Sequence, residues 1–111
     1  MMGHELRCRR LALGLDQRDL ADVLKTKQFK VSRWETGAAG VPEWVAPEIT
    51  VVEQQQDQLV ASYVAAGTAR AFVDEETWWA AAPKFEGVPL AVQLVAAARA
   101  RRQLGGSIER A

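Results

Sequence analysis

The chain has 111 residues, 49% of them apolar, with fourteen Lys/Arg set against fourteen Asp/Glu and a single cysteine, Cys8. That length suits one compact unit, or a small domain with an oligomerising appendage, and leaves no room for two large domains. No apolar run reaches the roughly 18 residues of a membrane helix. The start Met1-Met2-Gly3-His4-Glu5 is already polar, unlike a secretory signal, so the expectation is a soluble cytoplasmic protein with no membrane partner.

Leu6, Arg10 and Leu13 fall on one face of a first helix, and Gly14 follows where a helix end favours positive φ. Asp16 is a good N-cap, Asp19 sits in the first turn, and Leu15 with Leu20 occupies the positions of a hydrophobic staple. A second helix therefore runs from about Gln17 to Leu24. After a break of about three residues, Val31 and Trp34 mark the inward face of a third helix closed by Gly37, which leaves Lys27, Gln28, Lys30 and Arg33 outside.

Val41-Pro42-Glu43 reads as the start of a further helix, with Pro47 either moving that start to about residue 46 or kinking the first turn. Val45, Ile49, Val52, Gln56, Leu59, Tyr63 and Ala66 then follow a heptad-like seam to Gly67. Residues 69–73 form a short extended segment or strand. Asp74 caps another helix, with Val73 opposite Trp78 as a staple, and Pro83 stops it. Lys84 to Gly87 reads as a loop. A last helix has Val88, Ala91, Leu94, Val95 and Ala98 on its inner face and ends in Arg99, Arg101 and Arg102 before Gly105-Gly106. The fold class is all-α with one short extended piece.

The zero net charge is unevenly spread. Residues 1–41 are net +3, residues 42–76 are net −6 and residues 77–111 return to +3, so a polyanion is attracted to the ends and repelled from the middle. The inventory argues against an enzyme: His4, the one histidine, is placed in a flexible terminus, no Cys/His ligand set occurs, and no glycine-rich phosphate loop follows a strand. No cofactor or metal is expected. Cys8 reads as a packing or surface cysteine.

Leu6, Arg10, Gly14-Leu15, Gln17, Leu20-Ala21, Leu24, Val31, Ser32, Trp34-Glu35 and Gly37 together resemble the lambda-repressor-like, or xenobiotic-response-element-like, helix-turn-helix family. The resemblance covers residues 1–44 and implies a unit whose third helix enters the DNA major groove. It implies that Gln17 bonds a phosphate and braces the recognition helix. It places Gln28 against adenine, Arg33 against guanine, and Lys27 and Lys30 on guanine or a phosphate. Phe29 is read as meeting a thymine methyl, or else as packing under the turn, and Ser32 completes the DNA-facing set. Arg10 and Glu35 occupy positions of a structural ion pair between the first and third helices.

Two departures stand out. Lys25-Thr26-Lys27 replaces the usual Gly and Ser/Thr cap, so that the turn is reshaped or the cap moves to Thr26. The loop Ala38-Ala39-Gly40 lacks the basic residues that many relatives place on the DNA backbone.

The order of elements after residue 44 resembles small repressors associated with anti-CRISPR operons. That resemblance implies a dimerisation region over residues 45–104, a flexible tail over 105–111, and repression of the protein's own operon as a homodimer on double-stranded DNA. Leu59, Tyr63, Phe72, Trp78, Trp79 and Leu94 are the interface candidates. The alternatives are an antitoxin whose C-terminal half binds a toxin protein, and a protein-interaction module whose basic face is merely solvated.

Overall fold

The computed structural model describes residues 1–111. The first helix, α1 (Gly3–Leu13), takes His4 into its first turn, and Gly14 ends it at φ 85° with its N–H on the carbonyls of Arg10 and Leu11. Helix α2 (Gln17–Leu24) begins in a complete capping box: Asp19 N–H donates to Asp16 at 2.7 Å and Asp16 N–H to Asp19 at 3.2 Å. Leu15 and Leu20, the two staple positions, are both fully buried. Helix α3 (Gln28–Thr36) follows the turn Lys25–Lys27 and ends at Gly37. The turn is not built around a glycine or a Ser/Thr cap. Lys25 adopts φ 55°, the one non-glycine residue with positive φ, and Lys27 rather than Thr26 is the N-cap of α3, without a side-chain hydrogen bond.

The long helix α4 (Val45–Ala66) starts three residues after Pro42. Pro47 is its third residue, where the missing N–H has no intrahelical acceptor to lose. Its apolar seam buries Val45, Ile49, Val52, Gln56, Leu59 and Val60 within the protomer, mainly against the last helix, α6 (Leu90–Leu104), and not against a second copy. Between them lie strand β1 (Ala69–Ala71), helix α5 (Glu75–Ala81) and a 3-10 turn over Pro83–Phe85. Residues 84–87, expected as a plain loop, thus include a buried Phe85 that stacks on Trp78 with centroids 5.6 Å apart. Val73 stays 61% exposed, so Phe85 is the main cover over Trp78 in place of the expected staple.

Three further expectations are corrected. The inward face of α6 consists of Val92, Gln93, Ala96, Ala97 and Ala100, while Leu94 and Ala98 are exposed. Nearly every residue from Leu90 to Ala98 is apolar, so periodicity cannot orient this helix. Its fit to α4, which small alanines allow at close range, does. Residues 105–111 are not a free tail: strand β2 (Ile108–Arg110) pairs in parallel with β1, Ala69 opposite Ile108 and Ala71 opposite Arg110. And a single apolar core runs from Leu6 of α1 to Ala100 of α6, so residue 44 marks no break in packing. No helix is long and apolar enough to cross a membrane.

Polar side chains tie the layers together. Arg9 of α1 binds Glu53 and donates to Thr50 Oγ1 at 3.2 Å, both on α4. Gln56 Nε2 donates to the carbonyl of Val92 at 3.2 Å and of Leu13 at 3.4 Å, and its Oε1 accepts from Arg99 at 3.1 Å. Gln93, wholly buried, donates to Tyr63 Oη at 2.8 Å and the Arg70 carbonyl at 2.6 Å and accepts from the Phe72 N–H at 3.1 Å. It thereby satisfies backbone groups flanking and within β1 that β2 does not reach.

Candidate nucleic-acid interface

Helix α3 turns Val31 and Trp34 into the core and its other sides to solvent. At 3.6 residues per turn, Phe29 lies near the centre of the outward face. Ser32 and Gln28 flank it on one side, Arg33 and Lys30 on the other. Gln28, Lys30 and Arg33 are exposed, as is Lys27 at the N-cap, whereas Ser32 is half-buried. Phe29 is 62% exposed and does not pack under the turn. With Lys30, Arg33, Trp34, Ala39 and Pro42 it lines a shallow groove beside the helix.

The cations of this face are unneutralised. The protein's three ion pairs are Arg9–Glu53, Arg10–Glu35 and Arg99–Asp57, so Lys25, Lys27, Lys30 and Arg33 have no carboxylate within ion-pair distance. The one acid on α3, Glu35, faces inward onto Arg10. A basic helix face without internal counter-charge is an electrostatic footprint for a polyanion.

Beneath that face, Arg10 grips Glu35 through two parallel bonds, Nε to Oε2 at 2.7 Å and Nη2 to Oε1 at 2.9 Å, with side-chain exposures of 8% and 2%. Its Nη1 donates to the Leu15 carbonyl at 2.9 Å, so one guanidinium joins α1, the start of α2 and α3. Hydrogen bonding to Glu35 holds the Arg10 pKa above its ordinary value. Burial pushes the Glu35 carboxyl up, but hydrogen bonds from Arg10 and Gln17 and the charge of Arg10 outweigh it and hold it below the usual range.

Gln17 Nε2 donates to Glu35 Oε1 at 3.2 Å. Its amide is therefore partly engaged in bracing α3, with one hydrogen left over. The amides at this helix end are also screened by the Asp16–Asp19 box, which puts carboxylates where a phosphate would sit.

A helix-turn-helix domain family matches residues 2–59, half of the chain and more. The chain belongs to the helix-turn-helix domain family. The match covers α1 to α3 and extends fifteen residues past the expected boundary at 44, into the part of α4 that Arg9 binds. This helix-turn-helix protein is a DNA-binding regulator, and its family is typically non-enzymatic. No curated protein matches it.

Residue patterning missed several contributors to this unit. Trp44, the N-cap of α4, is 46% exposed and meets Trp34 edge-on at 6.0 Å, covering the outer side of the core tryptophan. Gly3 touches the end of α3 so closely that a Cβ there would lie 2.0 Å from the Trp34 carbonyl oxygen. Neither has a sequence signal beyond its residue type. The Arg9–Glu53 pair also escapes notice, because the two residues are 44 positions apart.

Of the six expected interface residues, Leu59 and Trp78 are 4% and 0% exposed and packed inside the protomer. They cannot form a surface. Tyr63, Phe72 and Trp79 are half-buried, with the Trp79 indole N–H on the Val88 carbonyl at 3.0 Å. Leu94, 40% exposed, presents an open apolar side chain.

Proposed function

We propose that this regulator is a homodimeric repressor that binds an inverted-repeat operator in the promoter of its own operon. The observation that carries the reading is the outward face of α3. It combines three free cations, Lys27, Lys30 and Arg33, with the amide of Gln28 and the exposed ring of Phe29. In the major groove Gln28 pairs with adenine, Arg33 with guanine, and Phe29 meets a thymine methyl, while Lys27 and Lys30 take guanine or phosphate and Ser32 a neighbouring polar group. Gln17 acts by bracing α3 through Glu35, the Asp16–Asp19 carboxylates at the same helix end disfavouring a phosphate there.

Pairing follows from size. One such unit reaches few bases and phosphates, so useful specificity requires two half-sites. The loop Ala38-Ala39-Gly40 carries no charge to add. The second copy is engaged through the exposed apolar side chains of α6, Leu94 among them.

The test is a footprint of the purified protein over DNA upstream of its own gene, repeated at increasing salt. The expected result is two protected half-sites about one helical turn apart, or a multiple of it, with affinity falling steeply as salt rises. An absence of any salt-sensitive protection there would overturn the reading.

A further inference from the structure

A second concavity lies away from α3, between α4, β1 and α5. It is a cavity of about 260 Å³ walled by Tyr63, Phe72, Trp78 and Phe85, with Arg70 and Lys84 at its rim. A cavity of about 150 Å³ is enough to hold benzene, so one aromatic ring with a small substituent fits this space.

Its polar lining is one-sided. Residues 42–76 carry seven acids, yet no carboxylate lines the cavity, whose remaining polar residues are Gln58 and Ser62. Neither Arg70 nor Lys84 belongs to any of the three ion pairs. The Lys84 ammonium rests 5.1 Å from the Phe85 ring centroid, held at the mouth by the ring it covers. Tyr63 adds a donor. Its oxygen accepts from Gln93, while its own hydrogen is given to no acceptor in the protein. Burial also pushes the phenol pKa up, against a smaller opposing effect of the Gln93 hydrogen bond, so the hydroxyl keeps that hydrogen.

We infer that this cavity is a binding site for a small aromatic monocarboxylate, its ring against Tyr63 and Phe72 and its carboxylate taken by Arg70, Lys84 and the Tyr63 hydroxyl. An apolar recess with a few convergent polar groups is the usual form of a small-molecule site. A cationic rim selects the anion, and a planar guanidinium suits a carboxylate.

The test is a titration of the full chain with benzoate, followed by amide chemical shifts, with benzamide as the uncharged isostere. Benzoate is expected to give saturable shifts confined to residues around Tyr63, Arg70–Phe72 and Ala81–Phe85, and benzamide to bind about tenfold more weakly or worse. Arg70→Gln with Lys84→Gln is expected to cost benzoate about tenfold or more, with thermal stability unchanged because both side chains are exposed. Tyr63→Phe keeps the ring and is expected to weaken benzoate alone. Equal binding of benzamide, or benzoate binding untouched by the double substitution, would overturn the assignment. So would an absence of saturable shifts at millimolar benzoate. The same resonances moving with protein concentration alone would place a second copy in the cavity and overturn it too. None of these readouts depends on DNA.

Discussion

Arg10 and Glu35 meet in a two-bonded ion pair almost sealed from solvent, which joins the first helix to the recognition helix across 25 residues of sequence. Both expected partners of a buried charge are thus present, and removing one leaves the other stranded. Glu35→Leu is expected to destabilise the protein by about 3–5 kcal/mol, whereas Arg10→Met with Glu35→Leu together should cost much less. Urea unfolding of Glu35→Leu, Arg10→Met and the double variant checks this.

The same pair sets an acid response. The Glu35 carboxyl is held below its ordinary value of 4.5 in the folded state, so its contribution is fully present above that value. It is lost as pH falls through the depressed folded pKa. The melting temperature of the wild type should therefore drop at pH values below about 4.5, and the double variant should lose less over that window. Equal losses in both proteins would contradict the assignment.

Arg33 and Phe29 project from α3 without partners in the protein. Arg33→Ala is expected to weaken operator binding by about 1–3 kcal/mol and relax base preference at one position, with an unchanged melting temperature. Phe29→Ala is expected to leave stability unchanged, since the ring is largely exposed, and to lower discrimination for thymine. Competition binding with single-base operator variants distinguishes the two.

Lys25 occupies the left-handed region that a glycine would take without strain. Lys25→Gly is expected to stabilise the fold by up to about 1 kcal/mol, relief of the left-handed backbone exceeding the added freedom of the unfolded chain. At the other close point, Gly3→Ala places a methyl against the Trp34 carbonyl and is expected to cost about 1–3 kcal/mol. Chemical denaturation midpoints of both variants carry the test.

Gln93 serves three groups around β1 from inside the core. Gln93→Leu is expected to destabilise by about 1–3 kcal/mol, because the Arg70 carbonyl and Phe72 N–H lose their partner. Hydrogen exchange at the Phe72 amide should accelerate beyond what the global loss accounts for. A uniform change across all amides would show that Gln93 acts through packing alone.

The helix-turn-helix unit is legible in the sequence because its signals are local. Asp16 with Asp19, Leu15 with Leu20, and the glycines after α1 and α3 each act within a few residues, so type and spacing suffice to place them. The exposed set on α3 follows equally directly, since two buried positions, Val31 and Trp34, orient the whole helix.

The rest depended on partners distant in sequence. The seam of α4 is visible as a period, but a period does not name what covers it, and α6 of the same chain occupies the place a second subunit was expected to fill. In α6 itself, apolar residues on nearly every side left orientation to packing, and Gln93, the one polar residue in that run, was the unread sign of a buried network. Ile108–Arg110 form a strand only because β1 offers them an edge. By itself the sequence determined the Asp16 cap, the glycine helix ends and the basic face, because those depend on neighbours along the chain. Which side chains remain exposed was decided by tertiary packing, because burial depends on what lies opposite in space.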